Sequence, residues 1–117
     1  MEKICKVQRL MFDLIRLASF NDFDGQMVVQ NLTEHRDLWL GCIMDGNDLI
    51  KLRDISDNLW NADTLYIITT GVDDEKLERM ATDLWCANEV VYLNKDEAEH
   101  RLGTYPCEYK VLKIWWD

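Results

Sequence analysis

The chain has 117 residues, 48% of them hydrophobic and 30% charged, which is enough for one globular domain over residues 1–117 and too little for two. Thirteen basic residues stand against 22 acidic ones, so the formal net charge is −9. This balance argues against direct binding to a nucleic-acid backbone or an anionic membrane leaflet, because both require clustered positive charge.

The four cysteines, Cys5, Cys42, Cys86 and Cys107, form no Cys-x-x-Cys pair. Their spacing predicts reduced thiols rather than a disulfide framework, and we expect the first three to be small apolar fillers. Residues 1–20 carry a charge every three or four positions, unlike the apolar run of about 7–15 residues in a secretory signal. We therefore expect a cytoplasmic protein with no membrane span.

The first predicted element is an amphipathic helix over residues 3–18. Apolar residues at helical spacing predict one buried face, made of Ile4, Val7, Leu10, Met11, Leu14, Ile15, Leu17 and Ala18. The opposite face carries Lys6, Arg9, Asp13 and Arg16. Alternating charges favour a solvated surface, and the alternative is a docking site for an acidic partner.

The next elements are a helix and two strands. Residues 21–26 predict a capping turn that leads into a short helix over residues 25–36. A strand follows over residues 38–44, and alternation over residues 49–55 predicts an antiparallel partner strand. Residues 56–63 are mostly polar and predict a surface loop.

The clearest pattern follows that loop. Residues 64–70 form a β-branched and aromatic run typical of a buried strand, and residues 73–87 predict a helix that Asn88 closes in the left-handed conformation. Residues 89–93 predict another strand, so we expect a βαβ unit with a right-handed crossover.

The last part of the chain predicts one more helix and one more strand. Asn94 and Glu97 resemble a capping box for a helix that ends before Gly103, and residues 109–116 predict the final strand. The predicted order is α-α-β-β-β-α-β-α-β. It indicates an α/β fold, with α+β as the alternative: one small domain with a mixed sheet of four to five strands and helices on one or both faces.

Five tryptophans are more than one small core obviously needs. Trp60 lies in the predicted loop, and Trp116 follows Trp115 on a strand, so their side chains point to opposite faces. Tryptophan is common at binding hot spots, and we expect Trp60 and Trp116, with Asp57 and Asp63, to contact a partner. The alternative is that these aromatic side chains fold back over an edge of the core.

Polar residues near the carboxyl ends of strands indicate where a pocket would form in an α/β protein. Thr69, Thr70, Asn94 and Tyr66 are the candidate lining residues. The turn after Thr70 lacks the glycine spacings of phosphate-binding loops.

A catalytic or metal centre is not indicated. Cys107 and His100 are the best candidates for a nucleophile and its base, but no third orienting group accompanies them. Zinc would require four of the six cysteines and histidines to converge without a local pair. We therefore expect no cofactor, no metal and no catalytic residue.

Three classes of function remain open. The sequence favours a small, soluble, acidic accessory protein that acts by binding another protein, in one form as an inhibitor that mimics nucleic acid; its net charge favours a basic partner. The second class is a small-ligand-binding domain or minor enzyme with a pocket at the strand ends. The third is a homo-oligomeric structural module.

Overall fold

The computed structural model describes residues 4–20, 23–45, 52–58, 60, 62–102 and 110–116. In chain order, the elements are α1 (Lys6–Leu17), β1 (Ser19–Phe20), β2 (Phe23–Asp24), α2 (Gly25–Glu34), β3 (Trp39–Asp45), α3 (Leu52–Ser56), β4 (Thr64–Thr69), α4 (Asp74–Arg79), β5 (Glu89–Tyr92), α5 (Lys95–Leu102) and β6 (Val111–Trp115). A 3₁₀ turn (Arg36–Leu38) precedes β3, and a π-helical turn (Met80–Leu84) follows α4.

The main sheet has four strands in the order β3-β4-β6-β5, and every neighbouring pair is antiparallel. β4 and β5 therefore run in the same direction with β6 between them. The predicted βαβ unit is correct in strand direction, but its two strands are not neighbours, because the last strand of the chain inserts between them. A long-range insertion of this kind has no local signal in residues 64–93.

Helices pack on both faces of this sheet. Leu65 and Ile67 of β4 point into the main core with residues from α1, α2 and α4. Tyr66 of β4, on the opposite face, packs with Val111 and with Ala98 of α5. The predicted class, a small domain that combines helices with a sheet, is confirmed, but the described sheet is antiparallel throughout and not mixed. The radius of gyration, 13.7 Å, is close to the value of about 13 Å typical of one domain of this length.

Several local predictions are confirmed by hydrogen bonds. The Asp24 carboxylate accepts from the backbone N–H groups of Gln26 and Met27, so it caps α2. Asn94 and Glu97 form the capping box at the start of α5, since the Asn94 Oδ1 accepts from the Glu97 N–H at 2.9 Å and the two side chains pair at 2.8 Å.

The predicted strand over residues 49–55 is wrong in its described part, because Leu52–Ser56 is the helix α3 and none of its residues is buried. The alternation of apolar residues in so short a run fits a helical turn as well as a strand. The helix after β4 also differs from expectation. It widens into the π turn, Leu84 becomes exposed, and Cys86, not Asn88, adopts the left-handed conformation with φ of 56°.

Three of the five tryptophans build the main core. Trp39, Trp85 and Trp116 are fully buried, and each indole N–H has an acceptor. Trp39 donates to the Leu32 carbonyl at 2.7 Å, Trp85 to Asn31 at 2.8 Å, and Trp116 to the Trp85 carbonyl at 2.7 Å. A buried indole without an acceptor costs free energy. These bonds therefore join α2, β3 and the chain just after the π turn and just after β6 into one packing arrangement.

The helix α1 lies along the edge strand β3. The side-chain amide of Gln8 holds the backbone of Cys42 from both sides: its Oε1 accepts from the Cys42 N–H at 2.9 Å, and its Nε2 donates to the Cys42 carbonyl at 2.9 Å. Farther along α1, the ring of Phe12 meets Trp39 edge-on at 5.5 Å. Gly25 lets α2 begin directly against the last turn of α1, because a Cβ there would overlap the Ile15 carbonyl oxygen.

We predict that Gln8→Ala lowers the free energy of unfolding by about 1–3 kcal/mol, since it leaves a backbone donor and acceptor of Cys42 without their partners. Chemical denaturation measures this change. Gln30→Ala is the matched control, because among the described residues Gln30 bonds only to Glu34, on the surface of α2. We expect a change below about 0.5 kcal/mol. Equal losses in the two variants would contradict the role assigned to Gln8.

Candidate interaction surface

An apolar stripe runs along the side of α1 that the core does not cover. It consists of Val7, Leu10, Leu14 and Leu17, and we call it the α1 stripe. Val7, Leu10 and Leu17 are 77%, 55% and 63% exposed, and Leu14 is half-buried. All four were predicted to lie on one buried face, which is wrong for Val7, Leu10 and Leu17. The apolar arc of α1 is wider than the part of the helix that contacts the sheet and α2.

The spacing of the α1 stripe is three, four and three residues, which is the seam of a helix that packs along another helix. The stripe runs from Val7 to Leu17 of α1, so it is about 15 Å long at a rise of about 1.5 Å per residue. Exposed apolar residues scattered singly are normal on a protein surface, whereas a continuous row is typical of a binding site.

Charged residues flank the α1 stripe. Asp13 accepts a bond from Arg16 at 2.8 Å, which pairs these two opposite charges. Lys6 and Arg9 are exposed, and no ion pair engages either of them within the part of the chain that the structure describes. α1 carries three basic residues and one acidic one, a net charge of +2, in a chain whose net charge is −9.

A groove lies on the sheet beside the N-terminal part of α1. This strand-edge groove has a volume of about 270 Å³ and is lined by Gln8, Gly41, Cys42, Ile43, Tyr66, Ile68 and Val111. Gly41 leaves the space open: a Cβ there would have Gln8 Oε1 as its nearest neighbour at 3.6 Å, an ordinary contact distance. Ile43 is partly exposed in it.

A β-bulge next to the groove allows β3 to contribute side chains to both the main core and the groove. The register of β3 shifts between Trp39 and Gly41. The extra residue turns Trp39 into the main core, while Gly41 and Ile43 stay on the opposite face with Tyr66 and Ile68. Sequence reasoning found neither the bulge nor the roles of Gln8 and Gly41.

The residues predicted to contact a partner lie in different places. Trp60 is half-buried and packs against the main core, and its indole nitrogen is buried with no hydrogen-bond partner among the described residues. Trp116 is 1% exposed. Asp63 is half-buried and accepts from the Trp115 indole at 3.2 Å and from the Thr64 hydroxyl at 2.8 Å. Asp57 is exposed after α3.

Trp116 therefore offers no open aromatic surface, whereas the contact role of Trp60, Asp57 and Asp63 stays a prediction. Adjacent positions on a strand show only that Trp115 and Trp116 face opposite ways, and the sequence could not tell which face is covered. In the structure the core covers Trp116, and Asp63 holds Trp115.

The four residues predicted to line one pocket do not lie together. Thr69, buried, and Thr70 line a cavity of about 140 Å³ with Gly71, Asp74 and Lys110. Tyr66 lines the strand-edge groove instead. Asn94 is engaged in its capping box.

Near this cavity, the phenol of Tyr92 is held in its neutral form. Partial burial and the neighbouring carboxylates of Glu78 and Asp74 raise the pKa of Tyr92 to about 12. It is therefore protonated at neutral pH and cannot serve there as a base.

The described thiols are free but differ in exposure. Cys5 and Cys86 are exposed, which contradicts the expectation that they are apolar fillers, while Cys42 packs against the main core. Burial raises the pKa of Cys42 to about 12, although the Gln8 amide and Arg36 act in the opposite direction. Cys107 and the side chain of His100 lie outside the described residues, so their candidate pairing stays a prediction.

Among the described residues, no group of three or more histidine, cysteine, aspartate or glutamate side chains is arranged to hold a metal ion. None of the helices described is both long and apolar enough to cross a bilayer. No protein-family model matches the chain, and neither a curated protein nor a solved structure matches it.

We predict that iodoacetamide at about pH 8 alkylates Cys5 and Cys86 and leaves Cys42 unmodified. Because the pKa of Cys42 is raised to about 12, only about one Cys42 side chain in ten thousand is the reactive thiolate at about pH 8. This fraction becomes large only as the pH approaches 12. Peptide mass spectrometry measures each site separately, with unfolded protein as the fully labelled control. Alkylation of Cys42 as fast as Cys5 would contradict this assignment.

Proposed function

We propose that this protein is a non-catalytic accessory protein that binds another protein through the α1 stripe. The observation that carries the proposal is the row of exposed leucine and valine side chains on a helix that is otherwise fixed to the sheet. When a partner covers water-exposed apolar surface of this length, the free energy of the system falls. The fixed helix also reduces the entropy lost on binding, because the contact residues are already in place.

The composition of the site supports this function more than a catalytic one. The α1 stripe contains no nucleophile, acid or base, and the best-buried thiol, Cys42, has a pKa far above neutral. Two of the three described thiols are exposed and free, which is consistent with a reducing compartment, and we propose that the protein acts in the cytoplasm.

We predict that Leu10→Gln abolishes capture of the partner from a lysate of the source cell without changing the melting temperature by more than about 2 °C, because Leu10 is mostly exposed. Affinity purification with quantitative mass spectrometry compares the captured proteins. Leu52→Gln is the matched control, since Leu52 is exposed on α3, outside the stripe. A partner retained by Leu10→Gln and lost with Leu52→Gln would contradict the assignment of α1.

A second candidate function is the binding of a small apolar molecule in the strand-edge groove. Its volume of about 270 Å³ and its mainly apolar lining, which includes Ile43, Ile68 and Val111, support this alternative. The groove opens because residue 41 of β3 is glycine, at a position where an added Cβ makes only ordinary contacts.

If the groove binds such ligands, Gly41→Val blocks it without loss of stability. We expect the free energy of unfolding to stay equal or to rise by up to about 1 kcal/mol, because valine is favoured in strands. Ligand-observed NMR with neutral apolar fragments measures binding, and Gly41→Ala should give an intermediate effect. Fragments that bind wild type and Gly41→Val equally would exclude the groove as their site.

A further inference from the structure

The charge beside the α1 stripe has the opposite sign to the charge of the whole chain. Lys6 lies one helical turn before Leu10 and borders the stripe. Asp13 also borders it, one turn from Leu10 and Leu17, and Arg9 lies farther round on the polar face, one turn before Asp13. Because Asp13 is bonded to Arg16, the cationic charge at the N-terminal half of the stripe is not balanced by a described acidic side chain.

We propose that the segment bound by the α1 stripe is an amphipathic helix with acidic residues along the border of its apolar face. This inference rests on the proposed function and adds the chemistry of the partner. Leucine-type side chains of the partner pack along Val7, Leu10, Leu14 and Leu17, and its carboxylates face Lys6 and Arg9. The net charge of −9 favours a basic partner at long range. At contact, however, a bound segment interacts mainly with charges within the screening length of about 8 Å in physiological salt.

An anionic membrane surface is the main competing occupant, because a helix with an apolar face and basic border is typical of membrane-bound helices. The rest of the chain disfavours it. A bilayer is a plane that extends beneath the whole molecule, so it also meets the acidic surface outside α1. A single helix contacts α1 alone and avoids most of that repulsion.

A second copy of this chain is a weaker occupant. Two copies bring together two chains of net charge −9 and two helices of net charge +2, so both the whole molecules and the paired stripes repel.

The test uses two fluorescent synthetic helices with the same leucine row, one bordered by glutamate and one by lysine. Fluorescence anisotropy measures their Kd with the full-length protein at about 0.15 M and about 0.5 M salt. We expect the glutamate helix to bind about tenfold more tightly at the lower salt concentration, a preference that shrinks at the higher one. Leu10→Gln should abolish binding of both helices.

Charge variants test which residues of the protein cause the preference for the glutamate helix. Lys6→Glu combined with Arg9→Glu should remove or invert the preference for the glutamate helix, whereas Lys95→Glu, at an exposed site on α5, should leave it unchanged. All three substitutions are exposed, so we expect each protein to unfold at the wild-type temperature.

Four outcomes would overturn the inference. Equal Leu10-dependent binding of both helices, or tighter binding of the lysine helix, would reject an acidic segment while leaving a protein-binding stripe in place. Leu10-dependent adsorption to phosphatidylcholine–phosphatidylglycerol vesicles would assign the stripe to a membrane. Failure of both helices to bind, with a dimer in sedimentation that Leu10→Gln dissociates, would assign it to a second copy.

Discussion

The side-chain amide of Gln8 takes the place of a neighbouring strand at the edge of the sheet. An open edge strand offers unpaired N–H and carbonyl groups to any other chain, and α1 removes that hazard at Cys42 with one bidentate contact. The same contact sets the rotation of α1. With Gln8 directed at β3 and Phe12 packed on Trp39, the residues of the α1 stripe face away from the core.

The tryptophan core makes this arrangement rigid. Trp39 receives Phe12 from α1, and its indole is bonded to the end of α2, where Asn31 also accepts from Trp85. A shift of α1 would disturb a closely packed cluster in which each buried indole has its acceptor, and such clusters repack at a cost. The exposed stripe is therefore not a helix that the fold has left loosely attached. It is a surface held in place by buried contacts on its other side.

The sequence predicted the elements with strong local signals. The run in β4, the Asp24 cap and the Asn94–Glu97 capping box depend on residues a few positions apart, and all are confirmed. The sequence could not predict contacts between distant residues. Gln8 and Cys42 are 34 positions apart, and nothing near Gln8 indicates that its amide replaces a strand.

The candidate site was also only partly predictable from the sequence. Periodicity identified the apolar residues of α1 but not how many of them the core would cover, because coverage depends on the angle at which α1 meets β3 and α2. Abundant tryptophan indicated a binding surface, yet Trp39, Trp85 and Trp116 are in the core. The short helix α3 was predicted as a strand because five residues are too few for helical periodicity to differ from alternation.

The most direct test of this account is site-specific photo-cross-linking in the source cell. A photoreactive phenylalanine analogue replaces Leu10 in one protein and Leu52 in another, and mass spectrometry identifies each adduct. If α1 is the binding surface, we expect a discrete adduct from position 10, joined to a helical segment of another protein, and no such adduct from position 52. Absence of any adduct at position 10, or the same adducts from both positions, would contradict the claim that α1 is the binding surface.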